Sequence, residues 1–462
     1  MKEQREHWGS RLGFVLAAAG SAIGLGTLWK FPYVTGQNGG GIFVLFYLFC
    51  TFFIGIPLFM GELIIGRRAQ RGPVGIFMEL TPDKPGWKCV GWLGVLSSFL
   101  ILSYYIVVAG WGLNYFLLSL NQFYLNRNEQ EISGLFDTLY QSGGISLFWA
   151  FIFLLITFGV VYQGIRKGIE KWSKVLTISL FIILIGLFLY SLTLSGMPKA
   201  LRFIFYPDFA KFRASAFLEA LGLSFFTLSL GQGILLTYGS YLRKIDDIPK
   251  TAVIVAVMVI SISLLAALMI FPVIFTFNFP PEGGEGLVFK TLPILFAHLR
   301  GAMVISTLFF ALFVFTALTS AVALLEVVVA NLIDLYSWSR KKAIISTTIV
   351  VFIVGIPSAF SGSQEVFKKW LPMYGQTFFT SVDSLVSVWL LPIGGLLLAI
   401  YVGFVLDKKM LLAEFREGSS WQFLFGIWYF LIKWAVPIAI ILILLQKSGF
   451  FNVDDLISRL YT

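Results

Sequence analysis

The sequence predicts an all-α polytopic membrane protein of eleven transmembrane helices. Ten of them form two inverted five-helix repeats, in which helices 1 and 6 are broken. Three features predict this class. The 462 residues are 58% hydrophobic and only 13% charged, where a soluble domain carries about 25% charged residues. Eleven apolar runs approach or exceed the roughly 20 residues a bilayer requires. Glycine-rich interruptions recur in the first and the sixth run, at corresponding places of two five-run blocks.

The runs cover about 12–30, 41–66, 90–120, 146–164, 173–195, 214–242, 251–277, 301–336, 343–361, 378–406 and 422–446. They imply a single membrane domain over 1–446. Its repeats span about 11–195 and 213–407, helix 11 follows at 422–446, and 447–462 forms a short tail.

The first run is uncharged between Arg11 and Lys30, yet contains Gly13, Gly20, Gly24 and Gly26 with Ser21 and Thr27. Small residues permit close helix packing, and for this run alone that reading is the commoner one. The alternative is a helix that breaks at mid-depth, around Ala22 to Gly26, and offers its backbone to a ligand. The sixth run repeats the pattern, with Gly231 and Gly233 flanking Gln232 after Thr227 and Ser229. Five runs separate the two, so the blocks begin on opposite sides of the membrane. Interrupted helices at matching places of inverted halves point to a transporter site.

Twenty-one of the 34 lysines and arginines fall in the segments that are inside if the N-terminus is inside, against eleven outside. That bias predicts a cytoplasmic N-terminus in the cell membrane, and the odd number of runs puts the C-terminus outside. It also accounts for the net charge of +10 without nucleic acid. Cys50 and Cys89 lie in different settings and suggest neither disulfide nor metal site. His7 and His298 are the only histidines and both lie outside the runs. The polar start MKEQREHW and the lack of a small-residue cleavage site after the first run argue against a removed signal peptide. The outer segments 121–145 and 278–300 are long, and the second reads equally as a lid or as an ordinary loop.

Several stretches together resemble the neurotransmitter:sodium symporter family. These are Gly20-Ser-Ala-Ile-Gly-Leu-Gly26, Trp29-Lys-Phe-Pro32, Asn38-Gly-Gly-Gly41, Phe225-Phe-Thr-Leu-Ser-Leu-Gly231, Tyr238-Gly-Ser-Tyr241 and Leu318-Thr-Ser320. The likeness runs from Arg5 to about Pro437 and is similar in plan to a bacterial, leucine-transporting member. It implies a sodium-coupled amino-acid symporter rather than an enzyme, with an amino-acid substrate, sodium and membrane lipid as partners and the oligomeric state open.

By the same resemblance the substrate carboxylate rests on the backbone of Ala22, Gly24, Leu25 and Gly26 and on the Tyr105 hydroxyl. Helix-start amides suit an anion. The ammonium group goes to carbonyls of Phe226, Thr227 and Ser229, and Phe226 with Tyr105 forms a lid. Ile101, Gln232, Ser320 and Leu324 shape the side-chain pocket. Gly24, where monoamine-transporting relatives have aspartate, leaves room for a substrate with its own carboxylate. Gln232 stands where the family has Phe or Met. It meets a polar substrate side chain, or it bonds nearby backbone in a smaller pocket.

Gly20, Ile23, Thr316, Thr319 and Ser320 match the family's sodium ligands, five neutral oxygens suited to a hard cation. A second sodium site at Ala22, Thr27 and Thr227 is weakened, because Thr27 replaces an asparagine and Val259 a side-chain donor. Leu223 replaces a glutamine, which argues against chloride dependence despite Tyr47 and Ser263. One sodium ion per substrate follows.

Lys30 and Asp383 match an outer gate pair, and Arg5 and Asp334 an inner one beside Trp8 and Tyr241. Glu62 reads as a cap for amides freed in run six, with proton carriage as the lesser option. Glu219 and Glu326 have no legible role. A non-transporting sensor of the same fold and a proton-assisted transporter are the alternatives. No Ser–His or His–Glu pairing in the runs supports a membrane hydrolase.

Overall fold

The computed structural model describes residues 6–211, 213–281, 285–363, 366–367 and 369–449, with Lys211 and Glu285 described by backbone alone. Arg5, the tail from 450 onward and the tip of the 278–300 loop lie outside the described residues. Every regular element within them is helical.

Run one forms two helices, α1 (Arg11–Ala22) and α2 (Gly26–Gln37), bent by 52° at the break between them. Next come α3 (Gly41–Ala69), α4 (Pro85–Leu120), α5 (Gly143–Tyr162) and α6 (Ile165–Ser191). A nine-residue helix, α7 (Met197–Phe205), precedes run six, which divides into α8 (Ala214–Thr227) and α9 (Ile234–Gly239). The chain continues through α10 (Ile248–Thr276), α11 (Ala302–Tyr336), α12 (Arg340–Ala359), α13 (Trp370–Val405) and α14 (Gln422–Lys447). Among the described residues nine helices are long and apolar enough to cross a membrane, and ten if α1 and α2 count as one span. Neither α8 nor α9 reaches that length alone.

Four of the spans that carry a proline keep their course through a widened turn. Pro32, Pro57, Pro392 and Pro437 each follow one widened turn. There the amides of Phe31, Ile56, Leu391 and Val436 reach back five residues, to Gly26, Thr51, Val386 and Leu431. A proline has no N–H and its ring collides with the carbonyl four residues back. The wider turn moves that carbonyl aside. This is why run one, expected to end near residue 30, continues as helix to Gln37.

α6 also begins earlier than hydropathy indicates, at Ile165 rather than near 173. Its polar first turns are held from the N-terminal segment. Glu6 accepts the Ile165 amide at 2.8 Å, and Glu170 accepts the Gly9 amide at 2.6 Å and the Ser10 hydroxyl at 2.9 Å.

α4 and α11 run side by side through the middle of the bundle and are its most enclosed spans. The outer helices show apolar side chains instead, among them Phe148, Ile178, Ile182, Ile353 and Ile438. A soluble protein avoids so continuous an apolar surface; a bilayer requires it.

Candidate substrate and ion site

The two breaks face one another. After Ala22 the backbone leaves the helical path at Ile23 (ψ 77°), and the Gly24 amide turns back onto the Ala22 carbonyl at 2.9 Å. Opposite, Ser229, Gly231 and Gly233 all take positive φ, which separates α8 from α9. Buried amides and carbonyls freed in this way need partners. The Gly231 amide donates to Glu62 Oε1 at 2.8 Å, so this fully buried carboxyl on α3 caps the second break. The hydroxyls of Ser229 and Ser320 both donate to the Ser21 carbonyl, at 3.1 and 3.0 Å. One carbonyl thus ties both breaks to α11.

The glycines permit close approach. A Cβ on Gly24 would stand 2.8 Å from Ser320 Oγ and 3.4 Å from the Tyr105 hydroxyl; one on Gly26 would stand 2.6 Å from the Phe226 ring. Between these groups lies an enclosed cavity of about 20 Å3, a little more than one water needs. Its lining brings together eleven of the twelve residues expected at the substrate site: Ala22, Gly24, Leu25, Gly26, Ile101, Tyr105, Phe226, Ser229, Gln232, Ser320 and Leu324. Ser21 and Ile234 join them unexpectedly. Tyr105 accepts the Leu25 amide at 3.3 Å.

Thr227 is the exception. Its hydroxyl lies 2.9 Å from the Tyr47 hydroxyl, which in turn stands 3.5 Å from Ser263 Oγ. Thr227 is the last residue of α8, and helical periodicity turns it towards α3 and α10 rather than the cavity. The Gln232 carbonyl accepts the Ser98 hydroxyl. The residue is buried on the cavity wall, and its side-chain amide bonds no backbone group among the described residues.

The expected sodium ligands cluster where α1 meets α11. Thr319 Oγ1 donates to the Thr316 carbonyl at 2.9 Å. A Cβ on Gly20 would lie 3.3 Å from Thr319 Cβ and 2.7 Å from Thr177 Oγ1. A hydroxyl whose proton is given to a carbonyl keeps its lone pairs for a cation, and Thr319 and Ser320 both do so. No cluster of three or more His, Cys, Asp or Glu side chains occurs among the described residues. The hydroxyls and carbonyls gathered here are neutral oxygens, a type of donor that suits a hard monovalent ion. At the second position Thr27 Oγ1 donates to the Gly24 carbonyl at 2.8 Å, Val259 is buried, and Ser263 bonds the Val259 carbonyl at 2.9 Å.

Charged side chains make polar contacts at both ends of the bundle. Lys30 Nζ meets the two Asp383 oxygens at 3.0 and 3.3 Å and lies 4.4 Å from the Phe226 ring centre. The Tyr104 hydroxyl donates to Asp383 Oδ1 at 2.9 Å, a contact that only the Tyr104-Tyr105 doublet could have suggested. At the other end Asp334 accepts the Gly72 amide. Trp8 is buried, with its indole donating to the Tyr238 carbonyl at 3.1 Å. Sequence reasoning missed the pair beside it: Arg340 holds Glu326 at 2.6 Å, and the Tyr241 hydroxyl donates to Glu326 at 2.7 Å. Glu219 accepts the Asn38 side chain at 2.8 Å.

The model of a family described as the sodium:neurotransmitter symporter family matches residues 5–126 and 121–453. A Bacillus subtilis protein described as the uncharacterized sodium-dependent transporter YhdH is 39% identical over 454 residues, 98% of this chain and 100% of that one. The Bos taurus sodium-dependent neutral amino acid transporter B(0)AT2 is 30% identical over 308 residues, 59% of this chain and 41% of its own. The crystal structure of MhsT in complex with L-phenylalanine matches with a TM-score of 0.88 at 41% identity, covering 96% of this chain and 100% of the other.

Proposed function

The chain belongs to the sodium:neurotransmitter symporter family, and from that premise we propose that it carries an amino acid across the cell membrane together with one sodium ion. The observation that carries this reading is the cavity between the two helix breaks, lined by free backbone, the Tyr105 hydroxyl and a glycine at position 24. An α-carboxylate finds amides at the start of α2 and a hydroxyl beside them. The carbonyl-rich break after α8 suits the ammonium group. Sodium, when bound, supplies a fixed positive charge at Gly20, Ile23, Thr316, Thr319 and Ser320, next to the substrate position.

The architecture behind this proposal has eleven spans, α1–α2 and α8–α9 each crossing once as broken helices of two inverted repeats. The N-terminus lies in the cytoplasm. Lys30–Asp383 then closes the outer path, and Trp8 with Asp334 and the Glu326–Arg340 pair closes the inner one. Opening either end costs its polar contacts, and ligands at the breaks bias the balance between the two forms. Gln232 refines the substrate: a side-chain amide on the cavity wall, with no backbone partner, favours an amino acid whose side chain offers a hydrogen bond.

Uptake of labelled amino acids into proteoliposomes, with and without an inward sodium gradient, tests the reading. Gradient-dependent accumulation is expected. Substrate binding without accumulation would favour a sensor, and accumulation driven by a proton gradient alone would favour proton coupling.

A further inference from the structure

Away from the central site, at the end of the bundle reached by α2, a second and larger cavity of about 610 Å3 opens between α7 and the end of α10. Its walls are anchored. The Gly196 amide, just before α7, donates to Thr276 Oγ1 at 3.0 Å. At the other end of α7 the chain crosses the turn after α2 so closely that a Cβ on Gly41 would lie 2.7 Å from the Tyr206 carbonyl. The Phe203 ring packs on Phe271 and Phe275, with centres 5.0 and 5.5 Å away. The cleft is therefore held in shape by three separate segments.

Its chemistry is cationic and aromatic. Lys199 and Arg202 both line it, and neither forms an ion pair among the described residues. At the same end Lys30 and Lys290 are paired, with Asp383 and Asp137. Asp208 on the rim accepts the Ala210 amide and supplies a single negative charge against two positive ones. Arg202 lies 5.9 Å from the Tyr206 ring centre. α7 buries Met197, Ala200 and Ile204 against the bundle and leaves Leu201, Phe205 and Tyr206 outward, the last two 55% and 67% exposed. Basic residues interleaved with exposed aromatic ones mark a helix lying at the membrane surface.

We propose that this cleft binds the phosphate group of an anionic phospholipid in the leaflet at that end of the bundle. Lys199 and Arg202 hold the phosphate oxygens, the guanidinium with two donors at once. Leu201, Phe205 and Tyr206 lie where the glycerol and upper acyl chains pass. A soluble phosphate would use the cations alone, whereas a lipid also meets Tyr206 on the cleft wall and Leu201 and Phe205 on the outward face of α7, which favours the lipid.

The test is retention of phosphatidylglycerol by the purified full-length protein, followed by native mass spectrometry across a lipid titration. Phosphatidylcholine and inorganic phosphate serve as separate competitors. Replacing Lys199→Gln together with Arg202→Gln should weaken phosphatidylglycerol binding by about tenfold or more, since each cation near such a surface contributes substantially. The exchange Lys199→Arg with Arg202→Lys should keep most of it, as should the charge-matched control Arg127→Gln with Lys290→Gln. Equal phosphatidylglycerol binding by wild type and the double glutamine variant would overturn the proposal. So would loss in the control variant to the same degree, or displacement by inorganic phosphate with no preference for phosphatidylglycerol over phosphatidylcholine.

Discussion

Glu326 and Arg340 form a two-pronged ion pair, at 2.6 and 3.2 Å, in which the carboxylate is wholly buried and also accepts the Tyr241 hydroxyl. Arg340 donates to the Val161 carbonyl as well, at 2.8 Å. α5, α11, α12 and the end of the α9 segment therefore meet at one charge pair. Removing one partner from a buried pair strands the other and costs about 3 kcal/mol or more. We predict that Arg340→Ala lowers thermal stability in detergent strongly. Glu326→Gln, which keeps the Tyr241 bond, should lower it less, and adding it to Arg340→Ala should recover part of the loss. Additive losses in the double variant would show that the two residues do not act as a pair.

At the opposite end, the Lys30–Asp383 contact is partly exposed and shared with Tyr104. Such a pair is worth about 1 kcal/mol, roughly fivefold in an equilibrium between closed and open forms. We predict that Lys30→Glu reduces uptake and that adding Asp383→Lys restores part of it. Tyr104→Phe should give a milder defect by removing one bond to the carboxylate. A charge-swapped protein no better than its single variants would rule out this contact as a latch.

The sodium reading is tested at Thr319 and Ser320. Each hydroxyl gives its proton to a carbonyl, at 2.9 and 3.0 Å, and turns its lone pairs elsewhere. Alanine at either position removes an oxygen that buried surroundings cannot replace. The expected result is sodium affinity about tenfold weaker or worse, read as the sodium concentration for half-maximal uptake. Unchanged sodium dependence in both variants would remove these residues from the ion site.

How legible the site was follows from what each residue needed. The breaks could be read from the chain because glycine, serine and threonine concentrate where a membrane helix otherwise keeps apolar residues. Lys30 and Asp383 were legible as charges set in apolar runs. Glu326–Arg340 was not: the residues sit on different helices, and only the turn between α11 and α12 brings them together. α7 was missed because nine residues are too few for a membrane run, and its alternation of basic and aromatic residues looked like loop. The direction of the Thr227 side chain, towards Tyr47 rather than the cavity, was not legible either, because a resemblance assigns a residue to a neighbourhood whereas the helical turn decides which way its side chain points.

Gln232 is a position where the structure narrows a choice that the chain left open. No backbone bond satisfies its side-chain amide, which lines the cavity beside Ile101, Ile234 and Leu324. A substrate that bonds this amide gains over one that cannot. We predict that Gln232→Met shifts relative uptake by about tenfold towards amino acids with wholly apolar side chains. Competition against a labelled substrate measures this. The same order of preference in both proteins would place selection elsewhere in the cavity.

The last prediction concerns coupling. A second sodium ion would need several oxygens near Ala22, Thr27 and Thr227. There Val259 is buried with no oxygen in its side chain, and Thr27, whose hydroxyl gives its proton to the Gly24 carbonyl, offers one oxygen where the family resemblance expects an asparagine. A cation in so apolar a setting must have most of its hydration shell replaced, and this set falls short. One sodium with a zwitterionic amino acid moves one charge per cycle. The reversal potential should then shift by about 59 mV for each tenfold change in substrate gradient, whereas two sodium ions would give about 30 mV. Recording it in proteoliposomes at fixed sodium distinguishes the two. A slope near the smaller value would refute single-ion coupling and show that water or the substrate completes a second cage at Thr27.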